Sequence, residues 1–174
     1  MTIRPATEND IAAITAIYEH ILDVEEARPE PVVCWLRGVY PTEATARTAL
    51  KKGTLYVMEE GGAIVAAAKI DQEQVPEYAD CPWQDDAPPE KVLVLHTLVV
   101  EPACGGKGYA TAFVQWYENE ARRRGTPYLR MDTNARNLPA RALYRRLGYA
   151  EPGIVDCVFN GIPGVHLVCL EKKV

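Results

Sequence analysis

The sequence predicts an α/β (α+β) fold, a mixed sheet with helices on both faces. Three observations carry that expectation. Strand-like and helix-like patterns follow one another along 174 residues in the order β-α-α-β-β-β-α-β-α-β-β. Val92 to Val100 is apolar enough for a central strand. That strand leads through Glu101-Pro102-Ala103-Cys104 into a glycine-dense turn, Gly105-Gly106-Lys107-Gly108, and on into an amphipathic helix.

The elements follow from local chemistry. Ile3 to Pro5 reads as a short first strand. Thr7 and Asp10 are spaced as a capping box, and Ile11, Ile14, Ile17, Tyr18, Ile21 and Leu22 then recur at helical spacing. Val24 to Tyr40 is irregular, broken by Pro29 and Pro31. Pro41-Thr42 opens a second helix that Gly53 closes. Thr54 to Glu59 and Ala63 to Ile70 flank a glycine turn and read as a hairpin. Gln72 to Glu90, with four prolines, is a long polar loop for which Tyr78 and Trp83 offer anchors. After the strand at Val92 to Val100 come a helix from Lys107 to Arg124, a strand from Tyr128 to Asp132 and a helix from Leu138 to Leu147. Strands at Tyr149 to Val158 and Val165 to Glu171, joined by a turn at Asn160-Gly161, complete the order.

Residues 1–174 are expected to form a single domain with a sizeable core. No stretch approaches the ~20 apolar residues a membrane helix needs. The start, Met1-Thr2-Ile3-Arg4-Pro5, lacks the apolar run of a signal peptide, so the expected location is cytoplasmic, with no membrane partner. Five cysteines without CxxC spacing read as reduced thiols, and the three histidines show no metal spacing with them, so no metal is expected. A net charge of −5 argues against nucleic acid as a partner. The charge is unevenly spread. Gly105 to Arg146 holds nine basic residues against three acidic ones, whereas Asp71 to Glu90 holds seven acids and no base. That sorting suits an anionic cofactor on one side and a cationic acceptor on the other, and equally suits solvated faces.

The turn has a direct physical reading. Backbone N–H groups at a helix start lack partners and carry the positive end of the helix dipole, so they bind phosphate. Gly106 and Gly108 remove the Cβ atoms that would block its approach. A nucleotide P-loop fits less well, because Lys107 is followed by Gly108 rather than Ser or Thr. Some thirty residues on stands Asn137-Leu138-Pro139-Ala140-Arg141-Ala142-Leu143-Tyr144-Arg145-Arg146-Leu147-Gly148-Tyr149.

Together the two segments resemble the acetyl-CoA signature of the GNAT N-acetyltransferase superfamily, in the manner of its small bacterial members. The resemblance implies a mostly antiparallel, splayed central sheet and an N-acetyltransferase. Such an enzyme moves acetyl from acetyl-CoA to a primary amine by direct attack. The implied cofactor contacts are Leu98, Val99 and Val100 on the strand, Gly105, Gly106, Lys107, Gly108, Tyr109 and Ala110 in the turn, and Asn137, Ala140 and Tyr144 downstream. Gly105 stands where the family usually has Arg or Gln, which removes a side-chain contact and adds flexibility. Leu98 N–H would polarise the thioester carbonyl. Tyr144 matches the family's general acid, a phenol that is protonated at neutral pH. Asn137 also reads as a helix N-cap, which is compatible with its implied role.

An alkyl amine with a pKa of ~10.4 is only about 0.04% neutral at pH 7, so a base helps. His96, two residues before Leu98, holds the strand position that carries the base in several amine acetyltransferases of the family. Its other reading is a buried, hydrogen-bonded strand histidine. Glu101 and the acids of Asp71 to Glu90 are alternatives as base. His20 and His166 have no motif context. The expected acceptor is a small-molecule or peptide amine, and Trp35, Tyr40, Tyr78 and Trp83 offer it a wall. A homodimer accords with family habit, although no sequence feature demands one. The competing function is a non-catalytic domain of the same fold that binds acyl-CoA as a sensor.

Overall fold

The computed structural model describes residues 1–174. Seven strands form one sheet in the order β1-β2-β3-β4-β5-β7-β6, with β1 at Thr2–Pro5, β2 at Leu55–Glu60, β3 at Ala63–Asp71, β4 at Val92–Val100, β5 at Tyr128–Asn134, β6 at Ala150–Phe159 and β7 at Ile162–Lys173. Four helices accompany it: α1 at Ile11–Glu26, α2 at Glu43–Lys51, α3 at Tyr109–Arg124 and α4 at Leu138–Arg146. The element order is the one read from the sequence. The sheet is mixed and mostly antiparallel, with β4 and β5 as a parallel pair.

The chain divides into two compact units. One comprises Met1–Pro31, Trp35–Ile70 and His96–Trp116; the other comprises Val32–Cys34, Asp71–Leu95 and Tyr117–Val174. The chain passes between them at five points, among them one inside β4 and one inside α3.

In the first unit, β2 and β3 pair as the expected hairpin, and β1 adds antiparallel to β2 with Ile3 opposite Met58. Leu55 to Met58 are all buried, so both faces of this strand are covered. On one face, Leu55, Val57, Ala67 and Val99 pack with Ile11, Ile14 and Ile17 of α1 and Ala46 and Ala49 of α2. Tyr56 points the other way, as the period of two requires, and its ring lies 5.3 Å from that of Trp116 on α3. Phe113 meets Trp116 edge-on from the same helix. Helices therefore cover both faces of this unit's strands. The turn before α1 is the capping box seen in the sequence: Thr7 N–H donates to Asp10 Oδ2 at 2.7 Å. α1 runs to Glu26, past the expected break at Val24, because the first proline is Pro29.

In the second unit, β5 pairs antiparallel with β7, and β7 with β6 through the Asn160-Gly161 turn. Asn160 and Gly161 both have positive φ, 51° and 79°, which suits a tight hairpin. β7 therefore begins at Ile162, earlier than the sequence reading had it. The Gln72 to Glu90 segment holds two short 3-10 turns, Pro76–Asp80 and Pro89–Lys91, and is pinned to the sheet. Tyr78 is buried and donates to Asp132 Oδ2 at 2.7 Å. Trp83 Nε1 donates to Tyr78 O at 2.8 Å, and the Arg130 guanidinium lies 4.1 Å from the Trp83 ring centre. Gly153 has no room for a side chain, since a Cβ there would stand 2.7 Å from Pro82 Cδ. Tyr78 and Trp83 do anchor this loop.

One side chain ties β4 to β5 from α3. Tyr117, fully buried, donates to Leu93 O at 2.6 Å, with Arg130 O 3.3 Å away. Tyr117→Phe keeps the ring and removes the donor. It is expected to lower stability by about 1–2 kcal/mol, read as a lower urea midpoint at unchanged slope. All five cysteines are free thiols, and no helix is long and apolar enough to cross a membrane.

Candidate active site

The site begins where the parallel ladder of β4 ends. Its parallel ladder with β5 runs from Val92 opposite Tyr128 to Leu95 opposite Met131 and ends there, while β4 continues to Val100. Thr97 has φ = 52°. A β-branched residue in the left-handed region is a genuine outlier, costing about 1–3 kcal/mol. One such residue interrupts the extended backbone on which the side-chain alternation of a strand depends. On either side stand His96, which is buried and engaged by a neighbouring group, and Leu98, which is half-buried. Val99 is buried in the core of the first unit, as expected for its side chain, and Val100 is half-buried. Tyr40 reaches the bend from the α1–α2 connection: its hydroxyl is hydrogen-bonded to Thr97 Oγ1.

The glycine turn follows in the same unit. Gly105 to Gly108 are exposed. Gly106 and Gly108 have φ of 76° and 82°, which L side chains rarely adopt. A Cβ at either position would meet no atom within 4 Å, so the space in front of them is open. The positive φ of Gly108 excludes it from the helix, and α3 therefore begins at Tyr109 rather than at Lys107. Its first ladder bond runs from Ala112 N–H to Gly108 O at 3.0 Å. The N–H groups of Tyr109, Ala110 and Thr111 thus have no helical carbonyl, and they stand at the positive end of a helix of 16 residues. Gly105 differs from its neighbours: its φ is −56°, and a Cβ there would lie 3.2 Å from Pro102 O.

Glu101 builds the entry to this turn. Its Oε1 accepts from Ala103 N–H at 3.2 Å, and its Oε2 pairs with His20 Nδ1 at 2.8 Å. Both oxygens are thus engaged in structure. The hydrogen bond to Glu101 raises the His20 pKa. A raised pKa means the link is complete below the ordinary histidine value of about 6.5 and is lost as pH climbs through the raised one. His20→Gln is therefore expected to weaken Ala103 amide protection relative to wild type at about pH 6. The two proteins should exchange alike at about pH 9. Hydrogen exchange measured at both pH values checks this.

The second unit holds the downstream motif. Asn137 caps α4, its Oδ1 accepting from Ala140 N–H at 3.3 Å. The N-cap reading of Asn137 holds. Pro139 lies in the first turn, where it removes no needed donor. Ala140 is half-buried, and Tyr144 is buried with its ring edge-on to Tyr149 at 6.0 Å. Burial first, and the negative charge of Asp132 second, push the Tyr144 phenol well above the usual tyrosine value. The phenol therefore stays neutral where a free tyrosine begins to ionise. His166, in the same unit, pairs with Asp156 across β6 and β7 at 2.5 Å.

Sequence reasoning did not single out Thr97. Nothing in a threonine on an apolar strand signals a positive φ. Tyr40 was legible only as an aromatic in an irregular segment, because its partner stands 57 residues away.

Residues 18–149 match the sequence profile of the acetyltransferase (GNAT) family. The chain belongs to that family. This GNAT protein is 28% identical over 109 residues to the S-(2-succino)cysteine N-acetyltransferase of Bacillus subtilis, covering 62% of this chain and 61% of that one. It is 29% identical over 76 residues to an uncharacterized N-acetyltransferase of Methanocaldococcus jannaschii, covering 44% and 34%. The match thus spans about a third to three-fifths of those relatives' lengths. Among solved structures, a GNAT acetyltransferase from Streptococcus agalactiae superposes with a TM-score of 0.81 at 22% identity, over 99% of this chain and 95% of that one. The yncA protein of Salmonella typhimurium, solved with acetyl-CoA, gives 0.71 at 20% identity, over 99% and 93%. These likenesses establish the GNAT fold.

Proposed function

We propose that this GNAT protein is an N-acetyltransferase that moves the acetyl group of acetyl-CoA directly to a primary amine. The observation that carries the reading is the glycine turn. Its two left-handed glycines leave open space beside the first N–H groups of α3, the space that a pyrophosphate fills in this reading. In this reading Gly105, Gly106, Lys107, Gly108, Tyr109 and Ala110 hold the phosphates, and the backbone of Leu98, Val99 and Val100, with Asn137 and Ala140, holds the pantetheine arm. Acetyl-CoA supplies an acetyl group activated as a thioester.

The chain's own groups then divide the work. Leu98 N–H stabilises the charge that the carbonyl oxygen gains. His96 accepts the proton of the amine as its nitrogen bonds to the carbonyl carbon. The carbon–sulfur bond breaks, and Tyr144 gives its proton to the leaving thiolate. Glu101 is the weaker candidate base, since one of its oxygens is bonded to Ala103 N–H and the other to His20. The acceptor is a small-molecule or peptide amine. The Bacillus subtilis relative's name makes amino-acid amines the first class to try. The whole chain acts as one acetyltransferase domain.

Calorimetric titration with acetyl-CoA, CoA and ATP tests the binding half. Saturable binding of acetyl-CoA and CoA without ATP binding is expected, which would also show that Gly105 is tolerated. Folded protein that binds ATP, or that ignores acetyl-CoA, would overturn the reading.

A further inference from the structure

We infer that Tyr40 is a positioning residue that holds β4 in its bent form. Its hydroxyl, bonded to Thr97 Oγ1, keeps Thr97 in the left-handed conformation between His96 and the Leu98 N–H. The functional consequence rests on the acetyl-transfer reading; the clamp itself does not.

Thr97 has a backbone that its own side chain disfavours, so something outside the strand must hold it. Tyr40 is placed to do so, and it is itself held from three sides. Leu36 and Tyr40 exchange backbone hydrogen bonds, Tyr40 N–H to Leu36 O at 3.0 Å and Leu36 N–H to Tyr40 O at 3.2 Å, closing a small loop around Gly38. The Trp35 ring stands edge-on to Tyr40 at 5.9 Å and packs on the core formed by α1, α2 and the strands. Between them Arg37 bonds three carboxylates of α1: Glu19, Asp23 at 2.7 Å and Glu26 at 2.9 Å. The segment that looks irregular in sequence is thus an anchored arm that delivers one hydroxyl to one strained residue. Bending β4 two residues beyond the end of its ladder sets where His96 and Leu98 N–H stand relative to each other.

The test uses three variants of the full chain. Tyr40→Phe keeps the ring and removes the hydroxyl. Thr97→Val removes the other end of the bond. Thr97→Gly in the Tyr40→Phe background supplies a residue that adopts the left-handed region without help. Backbone chemical shifts of labelled protein report the conformation at position 97 independently of activity. Thr97 is expected to leave the left-handed region in Tyr40→Phe, and so is the valine in Thr97→Val, while the glycine of the double variant keeps it. Where an amine acceptor is in hand, kcat falls about tenfold to a hundredfold in Tyr40→Phe with the acetyl-CoA KM unchanged, and the double variant recovers most of it. Thr97 remaining left-handed in Tyr40→Phe overturns the inference. A wild-type protein that transfers no acetyl group would refute the proposed function, and the chemical shifts would still decide the clamp.

Discussion

Tyr144→Phe is expected to lower kcat for acetyl transfer by about 10²–10⁴-fold and to leave the acetyl-CoA KM within about twofold. The substitution removes one oxygen from a ring that is already buried against Tyr149, so packing is kept. On the proposed mechanism what is lost is the proton for the departing thiolate, an interaction made as the bond breaks. The environment makes the residue suited to that task at any working pH. Burial and Asp132 hold the phenol above its ordinary range, so it stays protonated where a free tyrosine would begin to ionise. The pH–rate profile of the wild type should therefore rise as the amine or its base deprotonates and show no fall below about pH 10. A fall that tracks an unshifted tyrosine would point to a different acid. Steady-state kinetics of the two proteins over that range supplies both answers.

Gly108→Val is expected to abolish measurable acetyl-CoA binding, weakening it by at least about a hundredfold. The effect has two sources. Gly108 has φ = 82°, and a β-branched residue there is strained by about 1–3 kcal/mol. The new side chain would also occupy space that is open in front of Gly108, beside the start of α3. Gly108 precedes the helix and supplies only its first accepting carbonyl, so the fold should survive with a lower melting temperature. Calorimetry beside a thermal melt separates the two effects. A folded Gly108→Val protein that binds acetyl-CoA as the wild type does would remove the turn from the binding site.

Much of this was legible in the sequence, for identifiable reasons. Val92 to Val100 was bounded correctly because an apolar run between a proline-rich loop and Pro102 has few alternatives. The Asn160-Gly161 turn and the Thr7–Asp10 cap were legible because each is a local pattern with one geometry. The residues proposed for the site were named from the two glycine-flanked motifs, through their resemblance to those of the family. What sequence could not supply is long-range and backbone-borne. α3 starts two residues late because Gly106 and Gly108 take a conformation that composition permits but does not dictate. The pairing of β4 with β5 stops at Leu95, with the bend at Thr97 two residues on, and no residue type announces either. Glu101 is half-buried, and its use in holding His20 depends on a partner 81 residues away.

The central claim is transfer, and its most direct measurement is mass spectrometry of a panel of primary amines, amino acids first, incubated with acetyl-CoA and the protein. Thiol release is followed in the same reactions. The account predicts at least one N-acetylated amine, formed in step with free CoA and lost in Tyr144→Phe. Tight acetyl-CoA binding with no acetylated amine anywhere in a broad panel would contradict it, and would make the protein an acyl-CoA binder rather than an enzyme.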